Sequence, residues 1–413
     1  MNTGFFNISK LGLLSLRGFS ILAKFLFTVL YFRYSEAAFG TYSLIATTVF
    51  LLVYLLGLDF YSYANRAVME PGSHPQKIIF NQFSLYLILY VILFPVVYLI
   101  FRFENFNPHY LWLFYAVLVT EHLNLEFYRL LFVFKKPWAA NINLFLRNGL
   151  WVLLAAGYIF KYQQIEIDTV LWLWLGGNLS ALLFSLLISW AKRQKIDFQN
   201  FKIDAQWIKT GIIISLPYMF STLSYKTIQF SDRYLIDWFM DKKAVGVYSF
   251  FDNMANVMNI LIFTVVISVL YPGLVESIMK KDKNRFSQIY RQFKKEIIFY
   301  GLGIAMILSV VLPFILIYIG KDMYVKQFHV FLLLILGNFM LNLSFVHHYI
   351  IYAYKKDWKI FKATFIAAVL NIILNLILIP VLGISGAAIA TFISFGTIYL
   401  FKSKDAQNLQ AGF

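Results

Sequence analysis

The chain has 413 residues, of which 60% are hydrophobic and only 14% charged, with 36 Lys and Arg against 20 Asp and Glu and no cysteine. A soluble domain is nearer half apolar and a quarter charged, so this composition excludes a soluble enzyme or nucleic-acid-binding module and reads as an integral membrane protein. The net charge of +16 then belongs to cytoplasmic loops, and the lack of cysteine removes disulfides, thiol chemistry and thiolate metal ligands.

The apolar runs are about 20 residues long and contain Gly, Pro, Trp and Tyr, which predicts spanning helices rather than barrel strands. Twelve spans are expected, at roughly 9–34, 41–60, 79–101, 110–133, 138–160, 169–190, 208–238, 245–270, 296–319, 327–353, 359–380 and 384–401. They divide into an N-terminal six-helix bundle (1–190), a cytoplasmic linker (191–207), a C-terminal six-helix bundle (208–401) and a cytoplasmic tail (402–413). Arg17 and Lys24 interrupt the first apolar run, so no cleavable signal is expected there.

Orientation follows from basic residues. Lys192, Arg193 and Lys195, then Lys280, Lys281, Lys283 and Arg285, then Lys355, Lys356, Lys359 and Lys362 all fall on the side of the N terminus. The positive-inside rule therefore puts both termini in the cytoplasm. The outer loops are short, which leaves no room for an extracytoplasmic domain. The inner stretch 271–295 carries Phe286, Ile289, Tyr290 and Phe293 at helical spacing among basic residues. It is expected to form an interfacial helix on an anionic leaflet, or else to dock a partner. Spans one and seven are longer than a bilayer needs and must tilt, bend or protrude. Pro217 offers span seven a kink, as Pro95 and Pro313 do for spans three and nine.

The two halves echo one another. Ala38-x-Gly40-x-Tyr42-Ser43 follows the first span, and Ala244-x-Gly246-x-Tyr248-Ser249 follows the seventh, half the chain later. Arg17 and Lys24 are seven residues apart, as are Lys226 and Arg233. Seven residues is nearly two helical turns, so each pair shares a face, roughly 10 Å apart along the axis.

Ionisable groups at bilayer depth are costly and face a partner or a watery cavity. Five such candidates are basic: Arg17, Lys24, Arg147, Lys226 and Arg233. Arg17 and Arg233 lie where snorkelling to the interface offers an alternative. The acids at hand are Glu121, Glu126 and Asp232, candidates for ion coupling or for a charge network, Glu121 being a candidate partner for Arg147 or for a coupling proton. His122–Glu126 and Glu126–Arg129 have the spacing to satisfy one another on one helix face. A cavity lined this way keeps net positive charge and suits a phosphate or pyrophosphate group. Asn253 and Asn256, Asn338 and Asn342, and Asn371 and Asn375 repeat at three or four residues, a pattern that stitches membrane helices or meets sugar. His347–His348 has few carboxylates near it in sequence, so no metal site is expected there. No P-loop, Gly-x-Ser-x-Gly or His-Glu-x-x-His pattern occurs, so no enzymatic activity and no cofactor are expected.

Three stretches carry a resemblance: Tyr31–Ser43 (YFRYSEAAFGTYS), Gly57-Leu58-Asp59 with Arg66, and Asp232-Arg233-Tyr234-Leu235-Ile236 running to Ala244-Val245-Gly246-Val247-Tyr248-Ser249. With the twelve-span plan, they resemble the bacterial polysaccharide flippases, the O-antigen and capsule repeat-unit translocases of the multidrug/oligosaccharidyl-lipid/polysaccharide (MOP) exporter superfamily. The resemblance implies an all-α fold of two six-helix bundles around a central cavity. It implies an undecaprenyl-pyrophosphate-linked oligosaccharide as cargo, moved to the periplasmic leaflet of the inner membrane by alternating access, with membrane lipids and the polysaccharide polymerase or ligase machinery as partners. It gives Arg17, Lys24, Lys226 and Arg233 the role of engaging the cargo's charged part; Arg147 joins them on the charge argument alone. A cation-coupled drug or metabolite antiporter of the same superfamily is the alternative, which would favour buried acids. A polytopic polymerase or glycosyltransferase would need a sizeable outer loop.

Overall fold

A chain that crosses hydrocarbon must close its backbone hydrogen bonds within each segment, and the described residues form helices and turns with no strand among them. The computed structural model describes residues 8–70, 72–103, 107–190 and 202–410, and the side chains of 8–15, 17, 103, 189 and 190 lie outside it. In chain order the α-helices are α1 (Ile8–Tyr34), α2 (Glu36–Gly57), α3 (Tyr61–Met69), α4 (Pro75–Phe103), α5 (Leu111–Val133), α6 (Pro137–Phe145), α7 (Trp151–Tyr162) and α8 (Ile167–Trp190). The second half holds α9 (Ala205–Phe239), α10 (Lys242–Ile262), α11 (Ser268–Met279), α12 (Lys283–Tyr318), α13 (Phe328–Ala353), α14 (Asp357–Leu382) and α15 (Ile384–Gln410).

Single π-helical turns, Leu146–Leu150 and Phe263–Ile267, join α6 to α7 and α10 to α11 into continuous rods. With the short α3 set aside, the rods number twelve and follow the order of the predicted spans. Among the described residues nine of them are long and apolar enough to cross a membrane. The other three are α1, α5 and α9, and these carry Arg17 and Lys24, Glu121 and Glu126, and Lys226, Asp232 and Arg233.

The rods gather into two compact units. One comprises Met1–Tyr34 and Ile45–Met219, the other Ser35–Leu44 and Phe220–Phe413. The division falls inside α2 and inside α9, the latter two residues past Pro217. The expected linker residues 191–201, with Lys192, Arg193 and Lys195, lie outside the described residues.

In the first unit, amides stitch α5, α6 and α8 together. Asn143 donates to the side chains of Asn124 and Ser185, at 2.9 Å each, and Asn124 donates to the Asn178 carbonyl at 2.9 Å. Trp151 of α7 stacks on Trp174 of α8 with ring centroids 5.4 Å apart. In the second unit, Asn259 of α10 donates to Asn338 of α13 at 2.6 Å and accepts from Asn342 at 2.6 Å. Ser231 of α9 donates to Asn371 of α14 at 3.0 Å. These amides act as stitching between helices.

The two Ala-x-Gly-x-Tyr-Ser copies open α2 and α10, and within the second unit they cross at their glycines. A Cβ on Gly40 would lie 2.9 Å from the Gly246 nitrogen, and one on Gly246 would lie 3.2 Å from the Gly40 nitrogen. Only residues without a side chain let two helix backbones approach this closely.

The stretch expected as a separate interfacial helix differs. Phe286, Ile289, Tyr290 and Phe293 form the first turns of α12, which runs 36 residues without a break. Phe293 is fully buried, and Tyr290 packs near His347 with centroids 6.4 Å apart. No Gly or Pro separates the amphipathic turns from the apolar run that follows, so the helix continues, and Tyr290 and Phe293 of its aromatic stripe pack on α13. The end of the chain also departs from the expected plan: α15 continues through the stretch read as a tail, and Lys402 and Ala406 are buried.

Candidate functional site

In the first unit two of the expected cations, Lys24 and Arg147, lie near one acid. Glu121 of α5 faces the π-turn, where Arg147 Nε lies 3.5 Å from its Oε1. Trp174 Nε1 of α8 donates to Glu121 Oε2 at 3.1 Å. Gly149 in the same π-turn lets α1 come close: a Cβ there would lie 2.9 Å from Ser20 Oγ. Single π-turns re-aim side chains and gather at functional sites, and this one delivers Arg147 to Glu121. Lys24 of α1 has an exposed side chain, lies within electrostatic reach of both Glu121 and Arg147, and makes no ion pair among the described residues. The Arg17 side chain lies outside the described residues.

Glu126, one turn along α5 and itself fully buried, belongs to a separate network. It pairs with Arg129 and accepts from Gln82 Nε2 at 2.8 Å and from the Tyr86 hydroxyl at 3.0 Å. His122 meets the Tyr90 hydroxyl at 2.7 Å, and the Arg129 guanidinium lies 3.5 Å from the Tyr61 ring centre. Every charge here is matched within the unit, as a structural network requires.

The second unit separates Lys226, Asp232 and Arg233 although all three stand on α9. Lys226 is half-buried, donates to Gln229 Oε1 at 2.8 Å and sits 5.5 Å and 5.3 Å from the Tyr225 and Phe230 ring centres. Arg233 is buried and spends its donors on Asp252 at 2.7 Å, the Gln229 carbonyl at 2.8 Å and Ser249 Oγ at 3.1 Å. Asp232 is buried and accepts from Asn375 Nδ2 at 2.6 Å, Thr391 Oγ1 at 2.5 Å and the Tyr248 hydroxyl. Among the described residues its donors are neutral, unlike those of Glu121 and Glu126.

Sequence reasoning missed several participants. Asp252, which holds Arg233, sits one helical turn beyond the Tyr248-Ser249 of the repeat. Tyr248 and Ser249 themselves, read only as part of a turn motif, reach Asp232 and Arg233. The polar side chains of Gln82 and Tyr86, four residues apart in an apolar helix, were the available signal for Glu126's partners.

Among the described residues, twelve helical rods in two units make this a multi-pass membrane protein. The fold is similar to that of a multidrug resistance MATE family transporter of the MOP superfamily in an inward-facing conformation (TM-score 0.74, 14% identity, 95% of this chain and 96% of that one). It is similar as well to the lipid II flippase MurJ (TM-score 0.72, 17% identity, 96% and 87%). A MOP superfamily transporter from Pyrococcus furiosus, described for the reverse polarity of its binding pocket, aligns with TM-score 0.61 at 15% identity over 96% and 94%. No curated protein matches the chain. The model of the polysaccharide biosynthesis protein family matches residues 10–278, more than half of the sequence, and the chain belongs to that family.

Proposed function

We propose that the protein is a flippase for undecaprenyl-pyrophosphate-linked oligosaccharide repeat units. It carries them from the cytoplasmic to the periplasmic leaflet of a bacterial inner membrane, for O-antigen, capsule or exopolysaccharide. Transport proceeds by alternating access, with both chain termini in the cytoplasm. The observation that carries this reading is Lys24, an exposed cation within the apolar run of α1 that makes no ion pair among the described residues. A diphosphate brings the charge that such a lysine needs, and the compact ammonium binds it without the rigid bidentate geometry of arginine. Lys226 offers the second unit's cation, oriented by Gln229 and two aromatic faces. The family's description as polysaccharide biosynthesis proteins supports a saccharide cargo. The fold's likeness to a lipid II flippase supports a lipid-linked one.

The test is flipping of a fluorescent undecaprenyl-pyrophosphate oligosaccharide in proteoliposomes. Wild-type protein is expected to flip it. Lys24→Ala and Lys226→Ala are expected to lower the rate about tenfold or more, the loss of one charge-assisted contact each. Proton- or sodium-driven efflux of small cationic compounds, without transport of any lipid-linked sugar, would instead establish the antiporter reading, with Asp232 as its leading acid.

A further inference from the structure

A second basic site, centred on Lys402, lies wholly within the second unit. It is a cavity of about 180 Å³ between α9, α13, α14 and α15, lined among others by Ser221, Tyr225, His348, Thr364 and Lys402. Lys402 is only 4% exposed and its Nζ lies 3.3 Å from His348 Nδ1. No Asp or Glu lines the cavity, and Lys402 makes no ion pair among the described residues. The nearest carboxylate along α15, Asp405, is engaged by Lys359 at 2.7 Å.

A buried ammonium without a counter-ion is costly, and the protein answers that cost either by neutralising the amine or by admitting an anion. The room favours the second answer. A buried water occupies roughly 30 Å³ of liquid, so the cavity exceeds what one or two solvating waters fill. It is smaller than the roughly 300 Å³ and more of a site for a whole small molecule. That size matches one charged group. The lining matches too. The Thr364 hydroxyl is committed to the carbonyls of Ile360 and Phe361, while the Ser221 hydroxyl has no hydrogen bond among the described residues and can donate into the space. The cavity sits near the helix ends at the α13–α14 turn, where Lys355 and Lys356 add positive potential.

We infer that this cavity binds a single phosphate group, with Lys402 as its charge partner and Ser221 as a neutral donor. In the proposed orientation it opens on the cytoplasmic side. A free phosphate and an anionic phospholipid headgroup share this chemistry. The inference does not rest on the flippase reading, since neither Lys402 nor Ser221 is assigned to the cargo.

The experiment is calorimetric titration of the purified full-length protein in detergent with inorganic phosphate at constant ionic strength. Native mass spectrometry of protein released from nanodiscs containing phosphatidylglycerol runs beside it. Wild type is expected to bind phosphate, and Lys402→Met to bind it at least about thirtyfold more weakly, the loss expected when a buried charge partner is removed. Retention of one phosphatidylglycerol that phosphate displaces identifies the headgroup as the source. Phosphate binding without lipid retention identifies a free anion. Ser221→Val removes only a neutral donor and should weaken binding about fivefold; it carries the comparison if Lys402→Met does not purify as a monodisperse protein. Binding of neither probe by wild type, or equal binding by wild type and both variants, overturns the inference. These outcomes are independent of whether lipid-linked sugar is flipped.

Discussion

The crossing of α2 and α10 makes a prediction whose sign, not only its size, is at stake. Replacing a helical glycine by alanine ordinarily stabilises by about 0.5–1 kcal/mol, because alanine loses less backbone entropy on folding. At Gly40 the new Cβ would lie 2.9 Å from both the Gly246 nitrogen and the Lys242 carbonyl carbon, and nearer still to the Lys242 oxygen. At Gly246 it would lie 2.8 Å from the Glu36 carbonyl carbon. All of these are backbone atoms, so no rotamer change relieves the overlap and the two helices must separate. Overpacking costs about 1–3 kcal/mol where some relaxation is available, and the upper end applies here. Gly40→Ala and Gly246→Ala are therefore each expected to destabilise by about 2 kcal/mol after the propensity gain is subtracted. The double variant should cost less than the two together, because one separation relieves both contacts. Gly176 on α8 is the control: a Cβ there meets nothing within 4 Å, and Gly176→Ala should be neutral or stabilising. The assay is equilibrium unfolding in mixed micelles, read by tryptophan fluorescence. A Gly40→Ala protein as stable as Gly176→Ala would refute the close crossing.

Two further expectations concern the charge networks. Asp252→Asn leaves buried Arg233 with only neutral acceptors and should cost about 1–3 kcal/mol in the same unfolding assay. That is less than the 3–5 kcal/mol of a fully enclosed pair, because the Asp252 side chain is 25% exposed. Removing both partners as Arg233→Gln/Asp252→Asn should recover part of that loss. Glu121→Gln keeps an acceptor for Trp174 Nε1 but removes the anion beside Arg147 and Lys24. Calorimetric titration with inorganic pyrophosphate should then show binding about tenfold tighter, and weaker binding would place the anion elsewhere.

The rods were legible because hydrocarbon demands runs of about 20 apolar residues, and few other features of a sequence have so direct a length scale. The halves were legible from the repeated turn, but the contact between its two copies was not: Gly40 and Gly246 are far apart in the chain, and a glycine alone does not say what approaches it. The α12 boundary failed for a local reason. Basic residues mark the cytoplasmic side but do not stop a helix, so charge was mistaken for a break where the backbone has none. Among the site residues, i,i+3 and i,i+4 spacing placed Glu126 with Arg129, since both stand on one helix. Glu121 was legible as a candidate for Arg147 because both are ionisable groups at bilayer depth, and the structure pairs them, whereas Arg233 with Asp252 depends on packing between helices that one-dimensional spacing does not encode. Lys402 was hidden for a similar reason, having been assigned to a solvated tail because its neighbours in sequence are polar.

The way the cations are matched separates permanent from available charge. Arg129, Arg147 and Arg233 each hold a carboxylate of their own unit, Glu126, Glu121 and Asp252. Arginine suits that use, since its planar fork fixes a partner geometrically and its charge is not lost at any physiological pH. Lys24 and Lys226 stand differently: one is exposed beside an acid already engaged by Arg147, and the other is held by a neutral amide and two ring faces. A carried anion must be released as well as bound, and a deep arginine fork would retain a diphosphate that a hydrated ammonium lets go. Of the five basic candidates, Arg147 and Arg233 each hold a carboxylate and the Arg17 side chain lies outside the described residues, so Lys24 and Lys226 remain the contacts proposed for an anion. Asp232 completes the pattern from the other side. It shares α9 with Lys226, is satisfied by Asn375, Thr391 and Tyr248, and so has an arrangement in which its own charge is open to neutralisation without breaking an ion pair. If transport is ion-coupled, that freedom makes Asp232 a better coupling group than Glu121 or Glu126, whose charges already hold arginines in place.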